Sequence, residues 1–338
     1  MLNTYSFALR LVFLCGAVFV QEYTHGSDQR VPTPLYKVDM NPLTLSYVVA
    51  DAVSSAALGR DTVRWQLSYN VANTVQLETD KNSEESVLLD AESKKIRLGI
   101  EYGLTDEWII ALDLPYIKHS RGSLDSPIDQ FHKIFGFPEG PRGSREKGLF
   151  EINYTKQGQS LIQRRSSSSG IGDIGISLIR RINMPFLDRV TVSGKFKFPT
   201  GDHRLLTGSG THDVALWMSV VDSIGQDFSH FFTIGGALIE QNKGLLEDMR
   251  VDHYGFLSYG IAWHLNPSID FKVQLDSRSA IYNQTDLLPL KSSTAVSIGA
   301  SFKLNNRYQL DLVVVEDIHV GSAPDVVFQL NFLSKAIF

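Results

Sequence analysis

Hydrophobic and polar residues alternate with a period of two along most of the chain beyond residue 60, as they do in strands whose faces meet different surroundings. In the segment IDFKVQLD at 269–276, every odd-numbered residue is apolar and every even-numbered residue is polar. The pattern predicts about twelve strands, at 62–72, 95–104, 108–116, 173–182, 190–198, 213–221, 229–239, 257–265, 269–276, 294–304, 308–315 and 326–332.

A soluble β-sandwich would alternate as well, but two features favour a membrane barrel. The predicted strands run for about nine to twelve residues, enough to cross a bilayer at a tilt, whereas soluble strands average about five or six. The connections also alternate between short ones, such as 105–107 and 225–227, and long ones, such as 73–94 and 117–172. Since bilayer hydrocarbon offers no hydrogen-bond partners, the strands must close. We therefore predict an all-β fold, a transmembrane antiparallel β-barrel at 61–338 with short periplasmic turns and long extracellular loops.

Aromatic residues near the strand ends support this prediction, because such rings favour membrane–water interfaces. They include Trp65, Tyr102, Trp108 and Tyr308. The chain ends in Phe338, after an alternating strand. A C-terminal aromatic residue in this position resembles the assembly signal of Gram-negative outer-membrane barrels, and it implies the barrel-assembly machinery as a partner.

Composition agrees with a barrel and excludes several other classes. The mean hydropathy of -0.07 reflects strands that place every second residue in a polar lumen, and no apolar run is long enough for a membrane helix. A single cysteine excludes a disulfide framework, and the nine histidines have no metal-ligand spacing. A net charge of -5 gives no basic footprint for nucleic acid. We expect no cofactor and no metal.

The first twenty residues are predicted to form a signal peptide, with Arg10 preceding the apolar segment 11–20. A buried helix or membrane anchor is the alternative, and Cys15 raises a lipoprotein alternative that Leu14 disfavours. Residues 21–60 do not alternate as strands do. They form an N-terminal segment that lies either in the periplasm or in the lumen.

The alternation places seven basic and six acidic side chains on the lumen face, so neither charge dominates there. A barrel of about twelve strands is narrow, and opposed charges on neighbouring strands can pair. We expect a narrow or partly plugged pore, or a solvated ion-pair network without a specific solute. The predicted lumen residues are Arg64, Lys95, Arg97, Glu101, Asp113, Asp173, Arg181, Lys195, Lys197, Asp270, Lys272, Asp276 and Asp311.

The loop at 117–172 carries a predicted helix, which Ser126 caps and Gly136 ends. Its apolar face would act as a constriction or pack against the barrel. That helix includes Ile128, Phe131, His132 and Phe135.

An outer-leaflet lipid hydrolase is an alternative, because His119, Ser120 and Asp125 are the residue types of nucleophilic catalysis. Adjacent His and Ser on an extended chain point to opposite faces, and no G-x-S-x-G elbow is present. We therefore predict that the protein is not an enzyme.

Several segments resemble an uncharacterised family of Gram-negative outer-membrane β-barrel proteins, known only as a domain of unknown function. They include 90–92, 98–106, 112–115 and 198–202, with Asn41-Pro42-Leu43 near the amino terminus. The resemblance implies the fold and an outer-membrane location, with outer-membrane lipids around the barrel. It brings no substrate and no catalytic residue.

The leading functional hypothesis is a narrow channel or transporter for small solutes. The alternatives are the lipid hydrolase and a structural or adhesive barrel that binds ligands through its long loops.

Overall fold

The computed structural model describes residues 33–51, 58–82, 84–124, 130, 148–184, 187–241, 243–318, 321, 324 and 326–335. The predicted signal peptide, Phe338 and the predicted helix residues Ile128, Phe131, His132 and Phe135 lie outside this part of the chain. Its strands are β1 (Val63–Asp80), β2 (Glu85–Gly103), β3 (Trp108–Ser120), β4 (Glu151–Lys156), β5 (Gln159–Arg164), β6 (Ser168–Ile171), β7 (Gly175–Met184), β8 (Leu187–Lys197), β9 (Asp213–Ile224), β10 (Phe228–Ile239), β11 (His253–Asn266), β12 (Ile269–Arg278), β13 (Ser293–Lys303), β14 (Tyr308–Asp317) and β15 (Val326–Ser334). Three 3₁₀ turns lie at His203–Leu205, Glu247–Met249 and Leu288–Leu290.

Twelve antiparallel strands close into a barrel, as predicted. β1, β2 and β3 pair in order, β3 pairs with β7, and each strand from β7 to β14 pairs with the next. The pairing of β1 with β15, from Gln66 opposite Leu333 to Ala72 opposite Val327, closes the ring. Closure leaves no strand edge within the wall, which is what a membrane requires of a sheet.

The barrel wall is apolar outside and polar inside because successive side chains alternate. On β12, Phe271, Val273 and Leu275 are exposed, whereas Lys272 and Gln274 are buried. Aromatic rings lie at the periplasmic ends of the strands, as in Trp65, Tyr308 and Phe332, whose centroids are 5.4–6.3 Å apart. No helix in the described ranges is long and apolar enough to cross a membrane.

β1 and β2 extend beyond the barrel, which corrects the predicted long loop at 73–94. Their register runs without a break from Val63 opposite Tyr102 to Asp80 opposite Glu85. The outer half of β2 pairs with β4, and β4 pairs with β5. The outer part of β3 pairs with the short strand β6. These additions were not predicted because Asn73 interrupts the apolar positions of β1, and loop 117–172 shows no clear strand period.

Residues 33–51, here called the plug, lie inside the barrel. They form no strand, and their only regular feature is one turn in which Leu45 N–H donates to Asn41 O at 2.9 Å. On the β2 side, Lys95 donates to Leu45 O. On the opposite side, the Tyr254 hydroxyl on β11 donates to Val48 O. The plug therefore spans the interior, where Leu43, Tyr47 and Val48 join the largest buried apolar cluster.

Candidate functional site

The barrel interior and the plug form the candidate site. Of the thirteen predicted lumen residues, Arg181 lies on β7 opposite Thr191 and is partly buried, and the other twelve lie on the strand faces or loop that meet the interior. Nine are buried, and Lys95, Glu101 and Asp113 are partly buried. The buried ones are Arg64, Arg97, Asp173, Lys195, Lys197, Asp270, Lys272, Asp276 and Asp311.

A four-membered charge network joins the plug to the wall formed by β2, β3 and β8. Lys195 Nζ lies 2.7 Å from Asp113 Oδ2 and 3.0 Å from Asp51 Oδ2 of the plug. Arg97 Nε lies 2.5 Å from Asp113 Oδ1, and its Nη2 lies 3.5 Å from Asp51 Oδ1. The guanidinium also stacks 4.8 Å from the centroid of the Tyr36 ring. Two acids thus neutralise two bases, which removes the formal charge from this part of the lumen.

Lys197 forms a second centre closer to the outer mouth. Its Nζ atom lies 2.8 Å from Asp173 Oδ2 and 3.0 Å from Asp213 Oδ2, and it donates to Ser46 O of the plug at 3.2 Å. Asp173 also accepts from the backbone N–H groups of Gly201 and Ser209. Lys197 therefore connects the plug, the β8 wall and the loop at 199–212.

Asp39 anchors the plug on the β12 side. Its Oδ2 atom lies 2.7 Å from Arg278 Nε and accepts from the Thr44 hydroxyl at 2.8 Å. Burial raises the pKa of the Asp39 carboxyl. The charge of Arg278 and the hydrogen bonds from Asn41 N–H and the Thr44 hydroxyl lower it by more, so the net pKa is below its usual value. The carboxylate is therefore ionised at neutral pH.

Loop 279–292 closes over the plug at the outer mouth. The Tyr282 hydroxyl donates to Leu43 O at 2.7 Å, and Asn41 Nδ2 donates to Pro289 O at 2.7 Å. Outside this contact, a cavity of about 420 Å³ is lined by Tyr282, Asn283 and other residues of the loop. A solute arriving from outside would meet this polar depression before the plug.

His119, the histidine of the hydrolase hypothesis, uses both ring nitrogens for buried contacts. His119 is fully buried, with Nδ1 2.9 Å from Ser93 Oγ and Nε2 3.0 Å from Leu206 O. Because the carbonyl can only accept, Nε2 carries the proton and Nδ1 accepts from Ser93. Both ring nitrogens are thereby occupied, so His119 has none left to activate Ser120. The third proposed member, Asp125, lies outside the described residues.

A Ser–His–Asp chain that sequence spacing did not reveal lies at the periplasmic end of the interior. Ser229 Oγ lies 2.9 Å from His264 Nε2, and His264 Nδ1 lies 2.8 Å from Asp270 Oδ1. The three residues come from β10, β11 and β12, and each is no more than 4% exposed. Asp270 also pairs with Lys303 at 3.1 Å. The Ser229 hydroxyl is shielded from solvent, and the arrangement ties three neighbouring strands together.

Sequence reasoning missed the plug residues that complete the site, namely Tyr36, Asp39 and Asp51. Their segment has no period, and their partners are distant in sequence; Asp39 and Arg278 are separated by 239 positions. Within the described ranges, no group of three or more His, Cys, Asp or Glu residues could hold a metal ion.

Comparisons with known proteins agree with this architecture. The profile of a family described as "Protein of unknown function (DUF3187)" matches residues 11–335. No curated protein matches the chain. Among solved structures, the COG4313 outer membrane channel from Pseudomonas putida F1 is similar, with 14% identity and a TM-score of 0.56, over 86% of this chain and all (100%) of that one.

Two further structures are more distant. The KdgM porin in complex with oligogalacturonate has 6% identity and a TM-score of 0.42, over 80% of this chain and 98% of that one. The Pseudomonas putida toluene transporter TodX has 12% identity and a TM-score of 0.38, over 88% and 92%. The closed strand order and lipid-facing exterior identify an outer-membrane barrel, confirming the predicted fold and location.

Proposed function

We propose that this chain, which belongs to the DUF3187 family of unknown function, is a narrow channel for small solutes that the plug closes. The resemblance in its sequence implied this family. Because the family has no known function, the role of the chain is inferred from its own interior. The lipids of the outer membrane would surround its apolar exterior. The fold of the similar COG4313 channel supports this class of function.

The plug is held in the barrel by side-chain contacts and not by strand pairing, and the proposal rests on this difference. The wall is a continuous ladder of backbone hydrogen bonds, whereas the plug has no strand pairing with it. Side chains supply most of its polar anchors, including Asp39 with Arg278 and Asp51 with Lys195. The plug can therefore shift without breaking the barrel, because the two sets of interactions are separate.

The polar character of the interior also favours a pore over a structural barrel. A barrel that served only as a scaffold would be most stable with apolar groups packed inside, since buried ion pairs often contribute less than well-packed hydrophobic residues. Here the plug meets the wall through charged centres on both sides, around Lys195 and around Arg278. Water entering beside a displaced plug could solvate these groups at low cost.

The same interior supports a function that is not enzymatic. The two serine–histidine contacts, at His119 and at His264, involve hydroxyls that are 0–1% exposed. A nucleophile must reach its substrate, and burial prevents this in both places.

Conductance of the full-length mature protein in planar bilayers tests the proposal. The wild type should show rare opening events, and the Asp51→Asn variant should open more often because Lys195 loses a plug contact. In liposome swelling with small sugars, the Asp51→Asn variant should likewise be more permeable than wild type. Wild-type and variant barrels that are folded yet equally impermeable would overturn the channel assignment, and ligand binding by the loops of such a barrel would favour the adhesive alternative.

A further inference from the structure

A patch of uncharged polar side chains lines one part of the interior, on β1 and β15. Asn70 lies opposite Gln329, and Ser68 lies opposite Asn331. All four face inward and are at most 4% exposed. We call these four residues the amide wall. It differs from the wall of β2, β3 and β8, where the interior carries charged pairs.

The hydrogen-bonding capacity of the amide wall is largely unused. Neither the Oδ1 nor the Nδ2 atom of Asn331 has a hydrogen-bond partner, and the same holds for both amide atoms of Gln329. Asn70 donates through Nδ2 to Lys95 O at 3.1 Å, and its Oδ1 is unpartnered. Three buried carboxamides thus offer several donors and acceptors to the same region.

Such an arrangement costs free energy in a folded protein unless another polar molecule completes it, because buried amides are nearly always hydrogen-bonded. An apolar side chain of the same size would be more stable at each position if nothing bound there. Neighbouring positions follow that rule: Val313, which lies opposite Gln329, and Val327 belong to one buried apolar cluster with Leu35 of the plug. The unpaired amides therefore mark a place where the interior meets a polar partner.

A small cavity lies near the amide wall and is reached through Gln66. Ser68 accepts from Gln66 Nε2 at 3.1 Å, and Gln66 lines a small cavity of about 30 Å³ together with Thr33, Asp51 and Arg97. That volume holds one or two water molecules. The cavity lies on the periplasmic side of Leu35, so a shift of the plug would join it to the rest of the lumen.

The chemistry of the patch favours an uncharged ligand. Two charged residues lie directly beside the patch and have polar contacts of their own: Lys95, opposite Asn70, donates to Leu45 O of the plug, and Asp311, opposite Asn331, accepts from Gln309. Carboxamides both donate and accept, which suits hydroxyl and amide groups and gives no net preference for an anion or a cation. A charged solute would lose its hydration, and the four side chains of the patch offer it no opposite formal charge.

We propose that the amide wall is a binding and selectivity site for small, uncharged, hydrogen-bonding solutes such as neutral sugars and polyols. This inference rests on the proposed channel function and specifies its substrate class. Gln329 and Asn331 are the specificity-determining residues, and they bind the solute as it passes between the plug and the β1–β15 wall.

The test is uptake into proteoliposomes, at low concentration, of three solutes of matched size: arabinose, its acid arabinonate and a cationic aminopentose. Each is measured for wild type, for the Gln329→Leu/Asn331→Leu double variant and for Asn331→Asp. Ser219→Val is the matched control, because Ser219 is also a buried inward hydroxyl but is paired with Thr233 at 2.8 Å on another part of the wall. Electrophoretic mobility without boiling confirms that each barrel is folded.

We expect wild type to take up arabinose in preference to the two charged solutes. Arabinose uptake by the double variant should fall about tenfold, which is the effect of losing one hydrogen bond of ordinary strength. Asn331→Asp should shift the preference toward the cationic sugar, and Ser219→Val should behave as wild type. Uptake that is unchanged by all substitutions, or that favours arabinonate in the wild type, would overturn the site while leaving the channel intact. No uptake of any solute by wild type and by Asp51→Asn would instead remove the channel itself.

Discussion

The Oδ2 atom of Asp39 lies 2.7 Å from the Nε atom of Arg278, so a residue near the amino terminus is paired with the end of β12 inside the barrel. Both side chains are at most 10% exposed. The contact fixes the plug against the wall on the side opposite the Arg97–Asp51 pair. Together these two pairs hold the plug across the lumen.

Replacing Asp39 with Asn should loosen the plug and increase the frequency of channel opening. The change leaves Arg278 buried without its counter-ion, and breaking one partner of a buried pair costs about 3–5 kcal/mol. Single-channel recording measures the effect. Arg60→Gln is the matched control, because its pair with Asp61 is 72% exposed on both sides and contributes at most about 1 kcal/mol. An equal opening frequency in both variants would argue against Asp39 as an anchor.

The Asp39 anchor should persist under mild acid. Its folded-state pKa is below the usual value of 3.8, so its contribution to plug binding is fully present above that value and is lost as the pH falls through the lower folded-state pKa. We therefore expect the difference in opening frequency between wild type and Asp39→Asn to stay constant from pH 7 to pH 5. That difference should shrink only below about pH 3.8. Its disappearance near pH 6 would contradict this assignment.

Gly260 on β11 should not tolerate alanine. A Cβ atom there would collide with the Phe231 ring and lie 2.9 Å from Val273 O, within a closely packed part of the interior. We expect Gly260→Ala to lower the free energy of unfolding by about 1–3 kcal/mol, the usual effect of overpacking. Urea unfolding in detergent measures it. Gly194→Ala on β8 should leave the free energy of unfolding nearly unchanged, because the nearest atom would lie 3.9 Å from the added Cβ. Equal effects at both sites would show that packing around Gly260 does not exclude a side chain.

No lipid hydrolysis is expected from the serine and histidine residues of this chain. Phospholipid and lipid A turnover should be the same for wild type, His119→Ala, Ser120→Ala and Ser229→Ala. Both ring nitrogens of His119 are occupied by Ser93 and Leu206 O, and the hydroxyl that contacts His264 belongs to Ser229, which is only 1% exposed. Reaction with a fluorophosphonate probe provides a second measurement. Turnover that falls to background in any of the folded variants would establish a hydrolase.

The barrel was predictable because the membrane imposes a period of two on every strand that crosses it. Even β10, where both faces carry apolar residues, was placed correctly at 229–239 against the observed Phe228–Ile239. The extended register of β1 and β2 was missed, since outside the bilayer the same strands carry polar residues such as Asn73 and Thr74. There the two faces no longer meet different solvents, and the period weakens.

For the site, alternation indicated which side chains turn inward but not which of them meet. Lys195 and Asp113 were both expected in the lumen, yet their pairing depends on the register of the closed barrel, which no single strand specifies. The contribution of Asp51 was invisible because the plug follows no regular period. The amide wall could have been noticed as Asn70, Gln329 and Asn331 on inward positions, but only the structure reveals that their amide groups are unpartnered.

Conductance with the plug reversibly locked in place tests whether the plug closes the pore. Leu35 N–H donates to Gln274 Oε1 at 3.0 Å, and Gln274 Nε2 donates to Leu35 O at 3.2 Å, so the two residues are adjacent across the plug–wall contact. Cysteines at both positions can be joined by a short reducible cross-linker, and the sole native cysteine, Cys15, lies in the predicted signal peptide. We predict that Leu35→Cys/Gln274→Cys conducts when reduced, is silent when cross-linked and conducts again after reduction. A cross-linked barrel that conducts as well as the reduced one would show that the plug does not close the pore.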